Sequence, residues 1–166
     1  MAAAAVQPGC ELCAAAPSAA WAEVAADDRL RVVRVLDAPD FPAFYRVIWR
    51  EHVAELSDLS SADRAHCLEV VVAVERVLRE ALAPTKINLA SLGNMVPHLH
   101  WHVIARFDWD SHFPQPIWGA RQREVMLPAA ERLARPMTML DESIRHSLAG
   151  GAAALVSIAG LRSPRP

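Results

Sequence analysis

Alternation of apolar and polar positions divides the chain into short strands around one long helical stretch. Trp21 to Ala26 and Arg29 to Leu36 carry the β-rich alternation of a hairpin closed around Asp27-Asp28. Phe44 to Arg50, aromatic and β-branched, predicts a third strand. A helix follows, with Ser60 as its N-cap and Asp63 at the third helical position. Leu68, Val71, Val74, Leu78 and Leu82 recur at helical spacing as its buried stripe, with Arg64, Glu75, Arg76, Arg79 and Glu80 toward water, and Pro84 ends it. Two more strands, Lys86 to Leu92 and His98 to Phe107, flank Gly93-Asn94-Met95-Val96-Pro97. In the second of them Leu99, Trp101 and Val103 alternate with His98, His100 and His102. A period of two sets the three histidines in a row on one face and the apolar residues in the core.

Five strands mostly in hairpin order, with helical support, predict an α+β fold with a mostly antiparallel sheet, one long helix and a shorter one. Residues 108–118, dense in proline and aromatics, predict an ordered loop packed near the histidines. Leu127 to Leu148 can hold the further helix, interrupted near Pro136. The expected organisation is a tail over residues 1–9, a domain over 10–127, and a helical extension with a tail over 128–166, ending in a disordered Ser163-Pro-Arg-Pro166.

Composition narrows the functional classes. A chain of 166 residues suits one domain. With 17 basic against 19 acidic residues, no broad surface for a nucleic-acid polymer is expected, whereas a small anion needs only a local positive site. No apolar run approaches a membrane span, and Leu148 to Leu161 is broken by Gly150, Gly151, Ser157 and Gly160. The short apolar start lacks a basic region, so no signal peptide is read and a cytoplasmic location is expected. Three cysteines do not suit a secreted disulfide framework. Cys10-Glu-Leu-Cys13 is a metal knuckle or a redox pair. Its place in a loop after Pro8-Gly9, rather than at a strand-to-helix turn, favours metal. Cys67 reads as a small core residue, and His66, His112 and His146 as surface or loop residues.

Three imidazoles in line cost free energy to desolvate unless each finds a partner. The row is therefore a solvated histidine-rich face, a metal site, or a site of nucleophilic attack at phosphorus.

His98 through Ile104 fit the His-apolar-His-apolar-His-apolar-apolar signature at every position, with Asn88 before it, Gly93-Asn94 leading in and Arg106 after it. The segment thus resembles the histidine triad family of nucleotide hydrolases and transferases, over roughly residues 10 to 107. The resemblance implies a HIT-like fold, a homodimer and a nucleotide substrate, either a dinucleoside polyphosphate or a nucleoside phosphoramidate. It implies His100 as the nucleophile of a nucleotidyl-histidine intermediate, with His102 at the phosphate or the leaving group. Asn88, Gly93 and Asn94 are the implied substrate-binding residues. Some members of the family place a histidine before the long helix and use it, with the first triad histidine, to complete a structural zinc site. Here that set is Cys10, Cys13, His52 and His98. Asn94, Ala105 and Trp49-Arg50-Glu51 depart from the usual family pattern and suggest an outlying branch. Two other readings stand beside the enzyme: a non-catalytic nucleotide-binding or zinc-stabilised interaction module, and a catalytic metal site made by the three histidines.

Overall fold

The computed structural model describes residues 6–13 and 19–159, with side chains to residue 150. Residues 1–5 of the tail expected over 1–9, and the expected tail at 163–166, lie outside the described residues. Five strands, β1 (Trp21–Ala26), β2 (Leu30–Val35), β3 (Phe44–Trp49), β4 (Lys86–Ala90) and β5 (His100–Arg106), form one sheet in the order β1-β2-β3-β5-β4. Every neighbouring pair is antiparallel, as expected for a HIT-like α+β domain. The β1–β2 turn is held by Asp27, whose carboxylate accepts from the backbone N–H groups of Arg29 and Leu30, both at 2.8 Å.

Helix α1 (Ser61–Leu82) starts where the side chain of Ser60 accepts from the Asp63 N–H at 3.1 Å. It stops at Ala83, left-handed at φ 46°, whose N–H returns to the Arg79 carbonyl ahead of Pro84. Its buried side is Cys67, Val70, Val71, Val74, Leu78 and Leu82. Leu68, expected in that stripe, is 40% exposed. Stepping back from Val71 and Val74 by one turn lands on Cys67 and Val70, and Leu68 falls on the adjoining outward row. Helix α2 (Met137–Ala159) follows an irregular stretch containing a single 3-10 turn at Ala129–Arg132.

Both helices cover the same sheet face. Val24, Leu30, Val32, Val47, Ile87 and Val103 from the strands meet Val74, Leu78, Leu140 and Ile144 in one core. Within it Tyr45 donates its hydroxyl to Asp141 at 2.9 Å, and Arg34 Nε reaches the same carboxylate at 3.0 Å, so α2 is tied to β2 and β3 by a satisfied polar network.

The opposite face carries no helix. It holds Val33, Ile48 and Leu12 at one end and Val35, Phe41, Phe44 and Ile104 at the other, with histidines and arginines between. None of the described helices is long and apolar enough to cross a membrane.

Candidate functional site

Register places the chemistry on this open face. His100 lies opposite Ile48 and His102 opposite Arg46, so alternate residues of β5 and β3 share one side of the sheet. Leu99 and Val103 are buried on the other side, as the alternation predicts.

His98 departs from the expected row, because β5 begins at His100. Its chain is bent back by a Leu99 N–H to Val53 carbonyl bond of 2.7 Å, and its own N–H bonds to the Val96 carbonyl at 2.8 Å. The imidazole of His98 is wholly buried. Nε2 donates to the Trp49 carbonyl at 2.6 Å, a bond that fixes the proton there and leaves a lone pair on Nδ1. That Nδ1 sits 3.4 Å from both Cys10 Sγ and Cys13 Sγ, and His52 Nδ1 sits 3.3 Å from Cys13 Sγ. All four ligand atoms of Cys10, Cys13, His52 and His98 lie within 4.8 Å of one another. Zinc bonds of about 2.3 Å to sulfur and about 2.0 Å to nitrogen, at tetrahedral angles, require sulfur–nitrogen edges of about 3.5 Å. The donor set and its spacing therefore suit a metal ion of this kind, one that displaces the thiol protons on binding.

The knuckle is shaped for the purpose. Gly9 takes φ 84°, the N–H of Cys13 returns to the Cys10 carbonyl at 3.2 Å, and the Gln7 N–H points at Cys13 Sγ. Burial, together with Cys10 alongside, raises the Cys13 thiol above its ordinary value, so a thiolate there needs a cation beside it. Leu12 is buried against Val33 and Ile48, and its carbonyl accepts from Arg31 Nη2 at 2.8 Å. The loop is thereby fastened to the sheet.

The backbone of the same His98 orients His100. Its carbonyl accepts from His100 Nδ1 at 2.7 Å. A carbonyl only accepts, so the proton of neutral His100 is on Nδ1 and Nε2 carries a lone pair. Nε2 faces His102 Nε2 at 3.1 Å, which makes His102 the donor and leaves its Nδ1 as an acceptor. That Nδ1 is buried and has no hydrogen-bond partner among the described residues. Both rings are kept neutral. Burial lowers His100, with Arg46 adding to it against the opposing pull of the His98 carbonyl. Burial, then His100 and Arg46, push His102 down to about 3. The His102 ring is walled by Phe44 at 5.4 Å and by the half-exposed Trp118 at 5.2 Å. The loop over residues 108–118 therefore packs against the histidines.

Asn88, expected at the substrate, bonds through Oδ1 to Arg106 Nη1 at 2.7 Å. Arg106 is buried and forked onto Asp110 at 2.7 and 2.9 Å, with a further bond to the Gln115 carbonyl. Burial opposes the charge of Asp110, but Arg106 and the backbone N–H groups of Phe107, His112 and Phe113 outweigh it and hold the carboxyl below its usual range. This pair fixes the loop that carries Trp118. Gly93, at φ 66°, turns the β4–β5 connection. Asn94 beside it is exposed, and its side chain bonds to no other described residue. Ser91 Oγ in the same connection donates to the His100 carbonyl at 2.9 Å.

Two histidines read as surface groups have partners. His66 pairs with Asp27 at 2.6 Å, and His112 Nδ1 bonds to Ser111 Oγ at 2.9 Å. The sequence does not single out Arg46, the Trp118 side chain within the expected loop, or the pairing of Arg106 with Asp110. Arg46 is identifiable only through its pairing with His102, which single-strand alternation does not reveal.

Solved structures similar to this chain include a histidine triad protein from Bradyrhizobium japonicum, 27% identical with TM-score 0.62, covering 77% of this chain and 90% of that one. Another, from Sinorhizobium meliloti, is 25% identical with TM-score 0.60 and the same coverage, 77% and 90%. A third, from Marinobacter aquaeolei, at 24% identity and TM-score 0.62 over 80% of this chain and 91% of that one, agrees in fold. A curated relative named AP-4-A phosphorylase, from Mycobacterium tuberculosis, is 27% identical over 101 residues. That match takes 57% of this chain and 52% of the relative, so the chain spans about half the length of the curated relatives it matches. The HIT domain family matches residues 19–109, which run from just before β1 through all three histidines to the end of β5 and just beyond. By that match the chain belongs to the HIT domain family.

Proposed function

We propose that the protein cleaves a nucleotide–phosphate linkage through a nucleotidyl intermediate on His100, as a hydrolase or nucleotidyl transferase. The carrying observation is the bond from His100 Nδ1 to the His98 carbonyl, which leaves the Nε2 lone pair facing His102 Nε2–H, a bond that phosphorus and a phosphate oxygen would replace when the substrate enters. In the first step Nε2 attacks phosphorus, the bond to the leaving group breaks, and the leaving group departs with its electron pair. The imidazolium so formed keeps its Nδ1 proton against the His98 carbonyl, which stabilises the new charge. Water then attacks phosphorus, the phosphorus–nitrogen bond breaks with its electron pair returning to Nε2, the water proton passes to solvent, and a nucleoside monophosphate leaves; inorganic phosphate in place of water gives phosphorolysis to a nucleoside diphosphate. His102, held neutral, suits donation of its Nε2–H to a phosphate oxygen better than delivery of a full proton.

The reading assigns a structural zinc ion to Cys10, Cys13, His52 and His98, where it would hold the knuckle and, through the His98 imidazole, steady the carbonyl that orients His100. A closed four-ligand site fits a structural role, and neither His100 nor His102 belongs to the group. Gly93 and Asn94 would edge the substrate from the β4–β5 connection. Asn88 would act through Arg106 rather than on the phosphate. Candidate substrates are dinucleoside polyphosphates and nucleoside phosphoramidates.

The test is turnover of both substrate classes. The wild type releases nucleoside monophosphate, and His100→Ala lowers that release by at least about a thousandfold with the fold intact. Turnover that survives His100→Ala yet disappears on chelation would instead identify a catalytic metal, and the reading would be wrong.

A further inference from the structure

Three buried side-chain polar atoms lack a hydrogen-bond partner among the described residues: Arg46 Nε, Trp101 Nε1 and His102 Nδ1. Two of the three belong to cross-strand partners, Arg46 on β3 and His102 on β5. Buried donors are satisfied in nearly all native structures, so the orphan Arg46 Nε–H calls for an acceptor that the described residues do not supply.

Arg46 is also unneutralised. Among the described residues no carboxylate pairs with it, although Asp37 and Glu11 are near enough to be felt. Its guanidinium instead rests over the Phe44 ring, 5.5 Å from the centroid. Phe44 in turn walls His102, so the cation, the aromatic and the imidazole form one wall. Arg106, by contrast, is already committed to Asp110. A phosphate chain entering this face brings negative charge, and a half-buried guanidinium with an unpartnered N–H is built to accept it.

We infer that Arg46 is the anion-holding residue of this site, taking non-reacting phosphate oxygens of the substrate on the His102 side of the phosphorus. This rests on the reading of the histidine face as a nucleotide site and adds to it the group that senses phosphate charge. The diagonal from Arg46 to His100, about 7–8 Å between backbones, is within the span of an arginine side chain and a phosphate.

The experiment compares binding of AMP and of adenosine to full-length wild type, Arg46→Met and Arg46→Lys, each followed by Trp fluorescence and calorimetry. Arg46→Met is expected to weaken AMP by about ten- to hundredfold while adenosine changes less than about twofold. Arg46→Lys should recover part of the loss, since it keeps the charge and loses the planar fork. Equal weakening of AMP and adenosine, or no change in either, overturns the inference. So does an unchanged AMP affinity combined with a shifted pH profile, which would make Arg46 a positioning residue for His102. Should Arg46→Met lose its fold, Arg46→Lys decides: AMP weakened severalfold with adenosine held supports the inference, and parity with wild type overturns it. Wild type that binds neither ligand refutes the nucleotide reading itself. Wild type that forms the His100 adduct while Arg46→Met binds AMP normally refutes only the role of Arg46.

Discussion

The two faces of the sheet are built from the same five strands and are held together by different means. The helix face is apolar and closed: Val47, Val74, Leu78, Leu140 and Ile144 are wholly buried, and its polar insertion, Tyr45 with Asp141 and Arg34, is hydrogen-bonded throughout. The histidine face is covered by loops rather than helices. It gathers buried histidines and arginines, and two of its polar atoms have no partner among the described residues, against one, Trp101 Nε1, on the helix face. Packing dominates one face. On the proposed function, the other carries the chemistry, on the opposite side of β3 and β5.

The sharpest way to break that division on the histidine face is Asp110→Ala. It strands the buried Arg106 guanidinium and releases the loop that carries Trp118. A loss of about 3–5 kcal/mol in chemical denaturation is expected, with activity falling alongside. On the helix face, Leu78→Ala should lower stability by about 2–4 kcal/mol through a core cavity, with catalytic parameters of the remaining folded protein unchanged. If activity per folded molecule dropped as steeply as in Asp110→Ala, the two faces would not be separable.

Acid sharpens the comparison further. His102 titrates near 3 when folded against 6.5 in the free side chain, so the unfolded chain takes up the proton first. Its contribution is present above about pH 6.5 and is lost as pH falls toward about 3, with a slope of up to about 1.4 kcal/mol per unit. Stability of the wild type and of His102→Asn, measured by denaturant titration across that window, should converge as the pH drops. Parallel curves would show that burial does not suppress the charge. The smallest effect belongs to Leu68→Gln on the outer row of α1, within about 0.5 kcal/mol by thermal melting.

Legibility in the sequence followed the same division. Strands with clean alternation and the helix with its Ser60 cap were readable because local pattern and burial agree. Leu68 misled because hydrophobicity was weighed over helical phase, and one turn back from Val71 is Cys67. The Cys10–Cys13 spacing is that of a metal knuckle or a redox pair, and its place in a loop favours metal. His52 and His98, however, come from other segments, and their inclusion rested on family resemblance until the fold brought all four within 4.8 Å. His98 looked like a strand residue because alternation cannot register the turn that bends its chain to Val53. Arg46 and the Arg106–Asp110 pair were illegible for a related reason, since cross-strand register and loop closure are tertiary facts.

The central claim is that His100 Nε2 bonds to phosphorus. The direct measurement is to mix the protein with radiolabelled dinucleoside polyphosphate, quench within the first turnover, and map any phosphorylated peptide by mass spectrometry. The account predicts an acid-labile, alkali-stable nucleotidyl group on His100 that is absent in His100→Ala. Product formed at full rate with no such adduct in a rapid quench, or with the adduct on another residue, would contradict it.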